Sequence, residues 1–569
     1  MHPIISARLT AAALLIVPGC APTPQPDAAD LIVTGGRVWT GNPAQPWAEA
    51  VAINGNRIAA VGTDDEIERS AGPNTARVDA AGGLVTPGFI DTHTHFIYAA
   101  FGLASVQLRD AATPEEFARR IGAYAATIPA GSWIQGGQWD HENWGGELPH
   151  RDWIDAVTAD HPVAITRLDG HMLLANSAAL EAAGINAGTG DIAGGTIVRG
   201  ADGRPTGVLK DNAMNPVLEV IPAPAAAIED RALQDGIAYL LARGVTTAHN
   251  MGDPALGKDG VRLAWRNLDV FERARDRSAL GVRIYACMPL EDWARLRDRI
   301  TAMDKGDAWL RLGCLKGMVD GSLGSHTAAF HEPFTDVPDD TGLLIHEDDP
   351  EAIYRWALAA DAAGLQVNVH AIGDRAIDSH LDAIERIVSK NGPRDRRFRI
   401  EHAQHPTAGA IRRFGQHGVI ASMQPYHAID DGRWAEKVIG PMRARTTYAF
   451  RSFLDAGVVV AFGSDWDVAP PTPIEGIYAA VTRRTLDGAH PDGWVPEQKI
   501  TVEEALWAYT MAGAYASFEE DLKGSIEVGK LADLVILGRD LTSIPVAEIR
   551  ATVVVATIVD GEVAFQRDR

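Results

Sequence analysis

Two histidines stand two residues apart in Asp91-Thr92-His93-Thr94-His95, directly after an apolar run that begins at Leu84. Side chains at i and i+2 of a β-strand point to one face. Two imidazoles on one face are half of a site for a divalent metal, although the pair alone is equally well explained as two loop histidines. Further residues change that balance, because each sits in or at the end of a β-branched apolar run: Lys316, His370, His402 and Asp465. Imidazoles and a carboxylate are zinc-type ligands. Lys316 lies inside an apolar stretch, where a free ammonium is costly to bury. It is either a snorkelling or ion-paired core lysine, or an amine that has reacted with CO2 to give a carbamate, an anionic ligand able to bridge two cations.

Eight runs must position these groups. They are 84–95, 244–252, 282–288, 310–320, 365–374, 398–404, 419–427 and 458–467. Helix-spaced apolar residues separate most of them, over 350–363, 375–390 and 447–456. Asp374 stands where a helix N-cap would. Strands alternating with helices predict a parallel sheet, and eight such units predict an α/β fold, a (β/α)8 TIM barrel with its site at the C-terminal strand ends. The barrel is assigned to 84–516. The stretch Phe96 to Arg243 is too long for a loop; its strand-like 133–137 and 162–166 and glycine-rich 188–207 predict an inserted mixed α/β domain over 97–230, roofing the mouth. Short alternating strands at both chain ends, 31–83 and 517–569, predict one composite β-sandwich.

The motifs TPGFIDTHTHF, GHMLLANSAAL, GVTTAHNMG, KGMVDGSLGSHTAAF, VNVHAIGDRAID and RIEHAQ, followed by SMQPYHAIDDGRWAE, FGSDWDVAPPTPIEGI and GSIEVGKLADLVIL, resemble the amidohydrolase superfamily, in its YtcJ-like branch (amidohydrolase family 3). The resemblance runs from about Leu31 to Phe565. It implies His93 and His95 as ligands of a first metal, Lys316 as a carboxylated bridge, His370 and His402 as ligands of a second metal, and Asp465 as a metal ligand and proton shuttle. One or two Zn2+ ions are implied, with Mn, Fe or Co able to substitute. The implied chemistry is hydrolysis of a C–N bond (amide, N-acyl or N-formyl amine, cyclic amide) by a metal-activated hydroxide. The same hydroxide could serve ester, lactone or phosphoester hydrolysis. A different class, a non-catalytic metal- or solute-binding lipoprotein, predicts a missing ligand, and none is missing. Candidates for substrate contact are His171 in Asp-Gly-His-Met, Trp139 beside Asp140, His326 where the family usually carries arginine, His427 at the end of the seventh run, and Trp466 after Asp465. His249 has a weaker claim, from the end of the second run.

The chain has 569 residues and a net charge of −23. That charge repels nucleic acid and anionic membrane surfaces; the hydrolase resemblance implies a small-molecule substrate. At the N-terminus, Arg8 precedes the apolar stretch Leu9 to Val17, which is too short to span a bilayer. Pro18-Gly19-Cys20 and a proline-rich segment follow. The pattern resembles a bacterial lipoprotein signal over 1–20 with a linker over 21–30. It implies export to the periplasm and a lipid anchor to the membrane through Cys20. Cys287 and Cys314 lie in strand-like runs and read as buried thiols, with a bridge open should those runs be neighbours.

Overall fold

The computed structural model describes residues 28–252 and 257–568. The leader and Cys20 lie outside the described residues.

Eight parallel strands form the central sheet: β1 (Phe89–Thr94), β2 (Val245–Asn250), β3 (Arg283–Pro289), β4 (Leu310–Met318), β5 (Gln366–Ala371), β6 (Arg399–His402), β7 (Ile420–Met423) and β8 (Val460–Phe462). Beyond its last strand the ring closes through backbone bonds: Asp465 N donates to His93 O at 2.8 Å, and His95 N to Trp466 O at 2.6 Å. The closing bonds thus join the segments that carry three of the expected metal ligands. Helices α1 (Ala352–Ala362), α2 (Asp374–Asn391) and α3 (Phe450–Asp455) occupy the expected stretches. α2 shows why: Ala376, Ile377, Leu381, Ile384 and Ile387 recur on one face and are buried, and Gly392, at φ 77°, ends the helix. Its N-cap is Gly373; Asp374 is instead the first helical residue and accepts the backbone N–H of His331.

The alternation of β5 sorts its side chains. Val367 and Val369 join the large apolar cluster with Leu381 and Ile384. Gln366 instead accepts from Tyr285 Oη on β3, and Asn368 donates to Cys287 Sγ. Cys287 and Cys314 correct the thiol reading. They face each other in register on β3 and β4 and form a disulfide, because parallel pairing brings the two runs together.

The run from Leu84 to His95 divides at Gly88. A Cβ there would stand 2.2 Å from Thr246 Oγ1, so only glycine lets the chain pass this close to β2. The barrel therefore begins at Phe89, five residues later than the sequence boundary. Leu84–Pro87 leaves for a six-stranded sheet, where it pairs with Leu534–Leu537 and Arg37–Trp39. That sheet and a four-stranded one from 29–79 share a core of Val33, Val51, Ile53, Val85, Leu534 and Ile558. Buried Arg283 of β3 fixes the sandwich to the barrel through Asp533 (2.7 and 2.9 Å) and Asp560 (2.8 Å). The insertion holds a mixed six-stranded sheet between Val106 and Asp211, with an apolar core on each face.

Candidate metal centre

The strand ends deliver His93, Lys316, His402 and Asp465 to one point. Lys316 Nζ lies 3.2 Å from His93 Nε2. Asp465 Oδ1 lies 3.5 Å from His93 Nε2 and 3.4 Å from His95 Nε2, and its Oδ2 lies 3.8 Å from His402 Nδ1. One potential ligand atom from each of His93, His402 and Asp465 falls within 4.8 Å of the others. His370 completes the group, with its ring 4.5 Å from that of His402.

Each imidazole is held from behind. His93 Nδ1 meets Glu401 Oε2 at 2.6 Å, His95 Nδ1 meets Gly252 O at 3.1 Å, and His402 Nδ1 meets Gln424 Oε1 at 2.9 Å. All three partners accept, so Nδ1 carries the proton and Nε2 is left with its lone pair. His370 is turned the other way: Nε2 donates to Gly321 O at 3.0 Å, which frees Nδ1. Strand alternation alone would put Glu401 and His402 on opposite faces. Both reach the site because His402 sits at φ 70°, and Asp465 takes a similar turn at φ 59°. Such left-handed backbone costs a non-glycine residue about 1–3 kcal/mol, and here it aims two site side chains.

The charge states suit a cation. Burial, then the Lys316 charge, lower His93 to about 4, and burial holds His370 and His402 well below the ordinary histidine value. Asp465 is held well below the usual carboxylate range; burial opposes this, and His93, His95 and His402 outweigh it. Burial lowers the Lys316 amine to about 8, against the pull of Glu401 and Asp465. Neutral imidazoles beside an ionised carboxylate are the protonation states that metal binding requires. Beneath them Arg399, itself fully buried, pairs with Glu401 at 2.8 Å.

A cavity of about 90 Å³ lies over this group. His95, Lys316, His370, His402 and Asp465 line it, as do His171 and His427. His171 arrives from the insertion, its Nδ1 2.6 Å from Asp211 Oδ1 and its ring 5.1 Å from that of His370. Burial would lower this imidazole, but its bond to Asp211 raises it.

Three residues expected to contact substrate do not line the cavity. Trp139 is fully buried in the insertion core, and its indole N–H donates to Ile165 O at 3.0 Å. Trp466 turns away from the cavity and stacks on Tyr239, with ring centres 5.5 Å apart. His326 packs edge-on against Phe334 and pairs with Asp336 at 3.1 Å. His249 is also displaced: it points into the barrel interior, 3.0 Å from Arg399.

The sequence reading missed Glu401, whose place between two strand-end motif residues was its only signal. It also missed Arg167, which lines the cavity and pairs with Asp140 at 3.0 Å and Asp169 at 2.7 Å. Asp169, two residues on, was the one local signal for Arg167; Asp140 comes from a different part of the insertion, 27 residues away.

A (β/α)8 barrel with imidazoles, a lysine and a carboxylate converging at its C-terminal mouth defines a metal-dependent hydrolase. The chain belongs to the amidohydrolase family, whose sequence profile matches residues 76–565. Protein LONG AFTER FAR-RED 3 of Arabidopsis thaliana is 40% identical over 539 residues, 94% of this chain and 91% of its own length. N-substituted formamide deformylase of Arthrobacter pascens is 31% identical over 560 residues, 95% of this chain and 98% of its own. The crystal structure of an uncharacterized metal-dependent hydrolase from Pyrococcus horikoshii shares the fold, with a TM-score of 0.71 at 24% identity, over 91% of this chain and 99% of that one.

Proposed function

We propose that the protein hydrolyses the C–N bond of an amide, an N-acyl or N-formyl amine, or a cyclic amide. The centre is held by His93, His95, Lys316, His370, His402 and Asp465. One observation carries the reading: Asp465 Oδ1 is buried with no hydrogen-bond partner among the described residues, yet faces two imidazole Nε2 atoms within 3.5 Å. A bare anion oxygen facing lone pairs fits a cation between them. One or two divalent ions, zinc by default for this donor set, would be held by these residues and would supply acidification of water towards neutrality and polarisation of a carbonyl oxygen.

The chain's own groups do the rest. Asp465, ionised, takes a proton from the attacking water and returns it to the leaving nitrogen. Glu401, Gly252 O and Gln424 fix the tautomers of His93, His95 and His402, so that no imidazole presents an N–H where a lone pair is needed. The neutral fraction of the Lys316 amine attacks CO2; an N–C bond forms, a proton leaves, and the resulting carbamate is a second anionic ligand. His171 and His427 face the substrate from the roof and from the seventh strand end.

The formamide-cleaving relative supports the C–N assignment. Export and a lipid anchor at Cys20 belong to the same proposal, and the Cys287–Cys314 disulfide supports an oxidising compartment.

The test is turnover of a panel of N-acyl and N-formyl amines by metal-reconstituted wild type and Asp465→Asn. The variant is expected to lose roughly 10²–10⁴-fold in kcat. Full activity in the variant would overturn the proton-shuttle role, and turnover of esters but no amides would overturn the C–N assignment.

A further inference from the structure

A second cavity adjoins the metal centre. It encloses about 340 Å³ beside the helix that follows β1 (Phe96–Gly102). Phe101, Tyr124, Trp133, Leu218, Ile221 and Pro222 are among its walls. Leu218 and Asp467 line both this cavity and the one over the metal ligands. Asp467 follows Asp465 by two residues, so the second space begins beside the reacting centre.

Most of the residues that line the second space are apolar. Of its lining charges Glu229, Arg262, Arg266 and Asp467, Arg266 pairs with Glu229 and also donates to Pro224 O, and Asp467 accepts from Gln138 Nε2.

We infer that this cavity receives an uncharged apolar substituent of the substrate, alkyl or aromatic, and that Leu218 is the specificity-determining partition between it and the reacting centre. Resting on the C–N reading, this narrows the substrate class to amides with a bulky hydrophobic group on the acyl or the amine side. Moving one methylene from water into such a space is worth about fourfold in kcat/KM.

The experiment uses two series, N-alkyl formamides from methyl to hexyl and N-methyl amides of the matching linear acids. Ala223 and Ala104 line the cavity and are exposed, so Ala223→Trp and, separately, Ala104→Trp fill it without disturbing the core. In at least one series kcat/KM should climb about fourfold per methylene. Either tryptophan variant should flatten the climb and leave turnover of the shortest member unchanged. Leu218→Ala should move the optimum to longer chains. Calorimetric binding of both series to metal-free wild type and to the filled variants separates this inference from the reading it rests on. Chain-length-dependent binding that the filled variants abolish, without any turnover, supports the cavity and overturns C–N hydrolysis. Flat dependence on chain length in both series, or an unchanged slope in both filled variants, overturns the cavity.

Discussion

Replacing Cys287 and Cys314 together by alanine tests how the barrel holds the strand that carries Lys316. The two residues pair in register on β3 and β4, and their sequence separation is 27. A cross-link closing a loop of that length removes about 12 cal/mol/K from the unfolded chain, by −2.1 − 1.5R ln n, or about 3.5 kcal/mol at 25 °C. Both side chains are fully buried, so the lost sulfur volume adds cavity cost and brings the total to about 4–5 kcal/mol. For 569 residues unfolding as one unit at about 2.1 cal/mol/K per residue, 3.5 kcal/mol lowers Tm by about 3 °C. A shift confined to the barrel would be larger. Urea unfolding followed by tryptophan fluorescence reads the difference, and alkylation in denaturant without reductant, followed by mass spectrometry, reads the bond itself. Cys314 precedes Lys316 by two residues, and Pro289 lies opposite Lys316. Thermal inactivation of the variant should therefore quicken while KM at 25 °C stays put. Alkylation of both cysteines in oxidised wild type, or a stability change under about 0.5 kcal/mol, the range of an ordinary surface substitution, would refute the reasoning.

Glu401→Gln keeps the shape of the side chain but removes the negative charge behind His93; metal affinity by chelator competition should fall about 10–100-fold, and unchanged affinity would sink the orienting role. Reconstitution with metal under CO2-free conditions should lower activity, and bicarbonate should restore it; indifference to CO2 would exclude a carbamate on Lys316. Burial raises Asp431 to about 7, against the hydrogen bond from Tyr448. A carboxyl whose folded value lies above its unfolded value of 3.8 binds its proton more tightly when folded, so its contribution is greatest below about pH 4 and declines as pH rises to about 7. Asp431→Asn should thus gain stability relative to wild type between pH 5 and pH 7, measured by urea unfolding at both; an equal difference at the two values would contradict the assignment.

Much of the barrel was legible, because burial on both faces of a parallel strand writes continuous β-branched runs into the chain. The candidate ligands were legible for a related reason, since polar residues end such runs, although His249 and Asp374 end runs too and serve the barrel interior and a helix start. Gly88 was not legible as a boundary. One apolar run served two sheets, and only the close approach to Thr246 divides it. Trp139 and Trp466 misled because an aromatic residue beside a motif looks the same whether it faces a cavity or a core. Chain geometry across strands made that choice, through Ile165 O in one case and Tyr239 in the other.

Local sequence, then, determined the strand periodicity, the identity of the candidate metal ligands and their order along the chain, since each depends on neighbours within a few residues. Convergence was decided in three dimensions. Left-handed backbone at His402 and Asp465 aims two site side chains, and Glu401, Gly252 and Gln424 select which imidazole nitrogen is bare. Aim and tautomer depend on partners brought together across 22 to 308 residues of chain, a relation that short-range spacing does not encode.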